Sequence, residues 1–301
     1  MFLTTQVVEI GNFYYFFYLC LFIILSVGLS LILRKASPKA QKIVISSILW
    51  ANFALHFLKL LFPPYSEYFP ISIKESTFQN ICAVNTIIFP FIYLKKKDVL
   101  LDYMVYVGLI SGVSAMFLPT EALGEAPFVF DTIRFYFCHI TVAIAPLLIV
   151  VTKIHRVNYH RIWKVPFVLL GVLCIIIVNE VMMMELGFVG LRNGDLLHPN
   201  YRNPSLIFGP PKEIEGTMLL DFILMWTPKI FLTVPVGDMA GQTKYWPVFW
   251  VIVPMYLFFS LLSFFISLWV DPMHFVHDLQ TFIRKLKVRW HKKAKVVEQE
   301  Q

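Results

Sequence analysis

Charged residues are scarce in this chain: Asp, Glu, Lys and Arg make up 15% of 301 residues. The short motifs that mark soluble enzymes are missing as well. No GxSxG elbow, GxxxxGK[ST] loop, GxGxxG turn, HExxH pair or CxxC pair occurs, so the signatures of α/β-hydrolases, P-loop and dinucleotide-binding folds, zincins and thioredoxin-like centres are absent. Cysteine is limited to Cys20, Cys82, Cys138 and Cys174. Each lies inside an apolar run, which excludes the loop-stapling disulfide framework of a small secreted domain. No basic residue precedes the first apolar run, so that run reads as a retained helix rather than a cleaved signal peptide.

What is abundant is apolar surface. The sequence is 58% hydrophobic and 16% aromatic, with a mean hydropathy of +0.69, beyond the range of a soluble domain. At about 20 apolar residues per span, seven segments qualify: Phe13 to Leu33, Ile43 to Phe62, Thr77 to Leu94, Val99 to Leu118, Ile133 to Thr152, Val165 to Met184 and Val248 to Val270. The chain reads as an all-α, multi-pass integral membrane protein, with one transmembrane helical domain over residues 1–270 and a basic amphipathic tail over 271–301. The connection 185–247 is turn-rich, with Pro199, Pro204, Gly209, Pro210 and Pro211. Its apolar segment 218–236 contains Asp221, Pro228, Lys229 and Pro235, which favour an interfacial or re-entrant element over the alternative of an eighth span.

The net charge of +7 follows membrane topology. Basic residues gather on alternate connections: Arg34, Lys35, Lys39 and Lys42, then Lys95, Lys96 and Lys97, then Lys153, Arg156, Arg161 and Lys164, and finally the tail. The positive-inside rule then sets the N-terminus outside and the C-terminus in the cytosol. The expected partners are membrane phospholipids, with anionic headgroups at the tail, and no nucleic acid.

Against this apolar background the polar residues stand out. Asn52, His56 and Lys59 follow i, i+4, i+7 spacing and share one helical stripe, although Lys59 alone has the reach to snorkel to the interface. Gln79, Asn80, Cys82 and Asn85 open the third segment. The fourth has a small-residue face, Gly108, Ser111, Gly112 and Ala115, which suits close helix packing more than chemistry. The fifth holds Arg134 and His139, the sixth Asn179 and Glu180. With the topology above, this set falls in the outer half of the bilayer. Ionisable groups at membrane depth are expensive and mark functional sites by default.

His139 lies about 9 Å and Cys82 about 7 Å into their helices at 1.5 Å per residue, so a thiol and an imidazole base can meet across the bundle. Asn179 or Glu180 would orient the imidazole. Cys138 points about 100° away from its neighbour His139 and is the poorer partner, while Thr86 is the hydroxyl alternative. A metal site from His56, His139, Glu180 and Cys82 lacks supporting spacing, and no cofactor is expected. The competing reading is that each polar residue merely bridges helices, contributing about 0.6 kcal/mol.

The stretches FQNICAVNTIIFPFIYLKKK, LDYMVYVGLISGVSAMFLPTE and FYFCHITVAIAPLLIV resemble the YwaF-type membrane family that includes vertebrate transmembrane protein 164. The likeness covers roughly Phe78 to Glu180, with a weaker echo at LLHPNYRNPSLIFGPP, Leu196 to Pro211. It implies an acyltransferase that moves fatty acyl chains between phospholipids through a cysteine thioester, with His139 as base and Cys82 as nucleophile. Asn80 and Asn179 would orient or donate to the oxyanion, and Arg134, Lys59, His56, Gln79 and Glu180 would contact substrate. In the bacterial pattern, Leu-His-Leu-Cys, the cysteine falls on Cys82 and the histidine on Asn80. In the vertebrate pattern, Pro-Cys-His-Leu, the cysteine falls on Gln79 and the histidine again on Asn80. The alternatives are a non-catalytic lipid-binding or carrier protein using the same cavity, or an intramembrane lipid hydrolase using Thr86 and His139.

Overall fold

The computed structural model describes residues 6–188, 207–210 and 215–299, with side chains described as far as Val288. Pro199, Pro204, Pro211 and most of the Leu196 to Pro211 stretch lie outside the described residues, as do the side chains of Arg289, Lys292, Lys293 and Lys295. Helices α1 (Phe13–Lys35), α2 (Pro38–Leu58), α3 (Ile81–Lys95), α4 (Asp98–Phe117), α5 (Phe130–Val151) and α6 (Val165–Glu185) are followed by a short α7 (Met218–Met225), by α8 (Phe249–Val270) and by the tail helix α9 (Pro272–Gln299). Six helices among the described residues are long and apolar enough to cross a bilayer, and α3 is a shorter apolar one. The protein is a multi-pass membrane bundle.

Local chemistry fixes the helix ends. Asn12 caps α1 by accepting from the Tyr15 N–H, and Ser37, followed by Pro38, caps α2, so α2 begins earlier than the apolar run alone suggests. Gln41 closes the α1–α2 hairpin by donating to the Leu33 carbonyl at 2.9 Å. The third span starts at Ile81 rather than Thr77 because the Asn80 carboxamide accepts from the Ala83 N–H at 2.8 Å. At 15 residues, α3 rises about 22 Å, short of the roughly 30 Å hydrocarbon thickness. Three 3-10 segments, Lys59–Leu61, Tyr65–Tyr68 and Ile71–Ser76, cover the space this shortfall leaves.

Segment 218–236 is no eighth span. Its helix, α7, has 8 residues, and after it the chain folds back through a 3-10 turn at Lys229–Phe231 and an isolated bridge between Thr233 and Thr243. Within α8, Pro254 withholds an N–H and a π turn over Met255–Phe259 follows, the expected local response to a missing rung.

Helix α5 is the centre of the bundle: 78% of its spanning window is buried, against 17% for α1. It packs on α4 through the small-residue face. A Cβ at Gly108 would stand 2.8 Å from the Val142 carbonyl oxygen and from Pro146 Cγ, and one at Gly112 would stand 2.7 Å from Ala143 Cβ and 2.8 Å from the His139 carbonyl oxygen. Helix α1 docks on the opposite side of α5, where the Tyr18 and Tyr136 rings stack with centroids 3.6 Å apart. At the end opposite the basic loops, the N-terminal segment is pinned by paired backbone bonds between Val8 and the Gly124–Glu125 turn, both 2.9 Å.

The basic end is held by charge. Asp102, fully buried on α4, accepts from Arg161 Nε at 2.6 Å and meets His155 Nε2 at 2.7 Å. Arg156 pairs with Asp271 at 2.5 Å, and Tyr159 donates to Asp278 on α9 at 2.6 Å.

Two stability outcomes follow. Gly112→Ala would place a methyl against α5 backbone and is expected to lower stability in detergent by about 1–3 kcal/mol, whereas Gly171→Ala, which meets nothing within 4 Å, is expected to be neutral or stabilising through helix propensity. Asp102→Ala leaves Arg161 and the buried His155 without the carboxylate they share, with an expected loss of about 3 kcal/mol or more. Thermal unfolding of the three variants in one detergent gives the comparison.

Candidate functional site

At the end of the bundle away from the basic loops, the short α3 leaves a cavity of about 450 Å³. Its walls come from α2, α3, α4, α5 and the 3-10 cover. Cys82 and Thr86 line it from α3, Cys138 and His139 from α5, and Ser111 and Ser114 from α4. His56, Lys59 and Arg134 line it as well, with Gln79, Asn80, Glu75 and Glu121. Of the residues singled out from sequence, His139, Cys82, Asn80, Arg134, Lys59, His56 and Gln79 thus share one cavity. Asn179 and Glu180 do not line it: Asn179 donates to Thr77 Oγ1 at 3.0 Å, tying α6 to the entry of α3, and Glu180 is half-buried on α6.

His139 is held in a defined way. Its Nδ1 is 2.8 Å from the Phe135 carbonyl oxygen, and its ring leans on the Phe135 ring with centroids 4.2 Å apart. A carbonyl only accepts, so Nδ1 carries the proton in the neutral imidazole and Nε2 keeps its lone pair. That is the tautomer a general base needs. The α4 contact at Gly112 reaches the His139 carbonyl itself, so the helix crossing that defines the bundle also sets the height of the imidazole.

Cys82 is the second residue of α3. The N–H groups of the first helical turn have no partner within the helix, so those of Ile81 and Cys82 remain free for an anion at this end. Asn80 Oδ1 is occupied by the cap, which leaves its NH2 as the donor facing the cavity. The Cys138 thiol also lines the cavity. Its offset from His139 turns it to another part of the wall without removing it, because the cavity spans more than one helix face.

The charged groups separate into paired and unpaired. Arg134 Nε donates to Asp131 Oδ1 at 2.8 Å, Arg134 Nη2 donates to the Tyr65 hydroxyl at 2.8 Å, and that hydroxyl donates to Asp131 Oδ1 at 2.7 Å. Burial raises the Tyr65 hydroxyl pKa well above its ordinary value, opposed by Arg134, so the phenol stays protonated and the triad stays closed. Lys59 is only 3% exposed: it points inward rather than snorkelling. Its ammonium lies 4.9 Å from the Tyr65 ring centroid and forms no ion pair among the described residues. His56, similarly buried, has an Nε2 with no hydrogen-bond partner among the described residues. Gln79 is engaged with Glu75, donating to Oε2 at 2.9 Å.

Tyr65, Glu75 and Glu121 were not evident from the sequence, and Cys138, which the sequence made the poorer partner of His139, proves to line the cavity. The Asp131–Arg134 pairing was readable as an i, i+3 neighbour relation, but Tyr65 sits in a connection with no periodicity to place it.

Beside the cavity runs a larger apolar groove of about 860 Å³ between α1, α4 and α8, lined by residues such as Phe22, Val27, Leu109, Ile110, Leu262 and Trp269. Ser114 borders both spaces.

No curated protein and no solved structure matches the chain. The TMEM164 family model, in contrast, matches residues 7–264, a range that takes in α1 to α7, most of α8, the 3-10 cover and each cavity-lining residue. The chain belongs to the TMEM164 family.

Proposed function

We propose that the protein is a membrane-embedded lipid acyltransferase that moves acyl chains between phospholipids through Cys82 and His139. The observation that carries this reading is the shared cavity, with a thiol at a helix N-terminus and an imidazole whose Nε2 is left basic by the Phe135 carbonyl. In the reaction, His139 Nε2 takes the Cys82 proton and the thiolate attacks the ester carbonyl of a donor phospholipid. The tetrahedral oxyanion meets the free N–H groups of Ile81 and Cys82 and the Asn80 amide. Collapse breaks the ester C–O bond, the imidazolium returns its proton to the departing lysophospholipid oxygen, and a thioester remains on Cys82. An acceptor hydroxyl then loses its proton to His139 and attacks the thioester, which forms the new ester and restores the thiol.

The headgroup phosphate is assigned to Lys59. Its ammonium points inward and forms no ion pair among the described residues, although Glu75 and Glu121 line the same cavity, whereas Asp131 and Tyr65 already hold Arg134. The acyl chain lies in the apolar groove that meets the cavity at Ser114. With the basic loops in the cytosol, the cavity opens on the opposite leaflet, and the tail helix lies on anionic cytoplasmic headgroups. Its exposed Leu279, Phe282, Ile283 and Leu286 sit among Arg284, Lys285 and Lys287.

The same cavity and groove also suit a lipid carrier without covalent chemistry, and enzyme assays separate the two. Purified protein in mixed micelles, given a phospholipid donor labelled in its acyl chain and a lysophospholipid acceptor, is expected to transfer label. Cys82→Ala is expected to abolish transfer, His139→Ala to lower it about 10²- to 10⁴-fold, and Cys138→Ser to leave it largely intact. Full transfer by Cys82→Ala removes the nucleophile, and undiminished transfer by His139→Ala removes the base. Copurified lipid with no transfer by the unaltered protein supports the carrier. A second outcome concerns binding: Lys59→Met is expected to raise KM for the phospholipid more than it lowers kcat, as measured by initial rates across donor concentrations.

A further inference from the structure

A second cluster lies at the opposite end of the molecule, and acyl transfer makes no use of it. His160 belongs to the 3-10 segment Tyr159–Lys164 that leads into α6, while His274 and Asp278 stand one turn apart on one face of α9. His160 Nε2 is 3.0 Å and His274 Nε2 3.6 Å from the same oxygen, Asp278 Oδ2. The three ligand atoms lie within 4.8 Å of one another. In a tetrahedral site with bonds of about 2.0–2.1 Å, ligand atoms are about 3.3–3.4 Å apart, so the two separations to Oδ2 bracket that edge length.

A hydrogen-bonded latch accounts for only part of this arrangement. Asp278 Oδ2 already accepts from the Tyr159 hydroxyl at 2.6 Å and meets His160 at 3.0 Å. At 3.6 Å, His274 is beyond hydrogen-bond range, yet its ring is turned to the cluster, with its centroid 5.3 Å from that of Tyr159. A shared cation engages all three groups. The carboxylate is already turned to both imidazoles, with Oδ2 as their shared neighbour. The Tyr159 hydroxyl also supplies the outer partner that orients a ligating carboxylate, and Phe264 and Phe275 pack on the Tyr159 ring.

We propose that His160, His274 and Asp278 bind one divalent transition-metal ion, with water in the fourth position, and that the ion fastens the tail helix α9 to the connection between α5 and α6. Two imidazoles and one carboxylate select zinc or its neighbours over calcium and magnesium, which prefer all-oxygen shells. The open fourth position faces solvent, since the His160 side chain is 61% exposed. The ion is structural, because the cluster lies at the other end of the bundle from Cys82 and His139.

The test uses the full chain, carrying a histidine-free affinity tag, purified in detergent, stripped with EDTA and titrated with cobalt(II) and then zinc. The expected result is binding of one equivalent, visible d–d absorption with cobalt, and a zinc-dependent rise in Tm. His160→Ala, His274→Gln and Asp278→Asn are each expected to weaken binding at least tenfold, and His277→Ala to change it less than twofold. Binding well below one equivalent, or affinity unmoved by the three ligand variants, overturns the proposal. Circular dichroism confirms that each variant is folded, and a variant that loses helix is replaced by the reciprocal substitution, His160→Gln or His274→Ala, so that each histidine is read in a folded protein.

Discussion

The close approach of α4 to α5 is the contact on which the rest of the protein depends. Gly108 and Gly112 bring the backbones together, with Pro146, Ala143 and the His139 carbonyl in the space a side chain would occupy. In a bilayer, helix association draws little from the hydrophobic effect and relies on such packing. Because α5 is the most buried helix, fixing it against α4 sets the frame onto which α1 docks through the Tyr18–Tyr136 stack and α2 and α3 close from the other side. The same crossing places His139 at a defined depth, so packing and chemistry are set by one contact.

The cavity arises from a mismatch of lengths. A 15-residue α3 beside spans of 20 residues or more leaves its capped N-terminus below the bundle's rim, and short 3-10 turns roof the gap. Polar groups that would be intolerable on a lipid face thereby gain an interior surface. The charged groups then divide: the Arg134–Tyr65–Asp131 triangle is closed by its own hydrogen bonds, while among the described residues Lys59 forms no ion pair and His56 Nε2 no hydrogen bond. At the far end the division recurs, with Asp102 holding His155 and Arg161 in the body of the protein and Asp278 reaching the tail.

Much of this was legible in the sequence, and the failures have physical causes. The seven apolar runs correspond to six helices of spanning length and the shorter α3, since bilayer thickness imposes a length, and the small-residue face of α4 indicated its packing role. His56 and Lys59 on one stripe, with Cys82 and His139 at matching depth, were enough to gather most of the cavity. Rotation about each helix axis was harder to read. Asn179 sits at a suitable depth yet turns to Thr77, and Cys138, set aside for its angular offset, reaches the cavity wall. Tyr65 was invisible because connections carry no periodicity. The His160–His274–Asp278 cluster was hidden for a related reason: His160 stands more than a hundred positions before the other two, and only the docking of the tail helix brings them together.

The central claim is that Cys82 carries the acyl group between donor and acceptor. Intact-protein mass spectrometry after brief exposure to a phospholipid donor, without acceptor, tests it most directly. The account predicts a mass increase of one acyl chain, mapped to Cys82, released by hydroxylamine and absent in Cys82→Ala. An unaltered mass in protein that retains transfer activity, or an acyl adduct mapped to another residue, would contradict it.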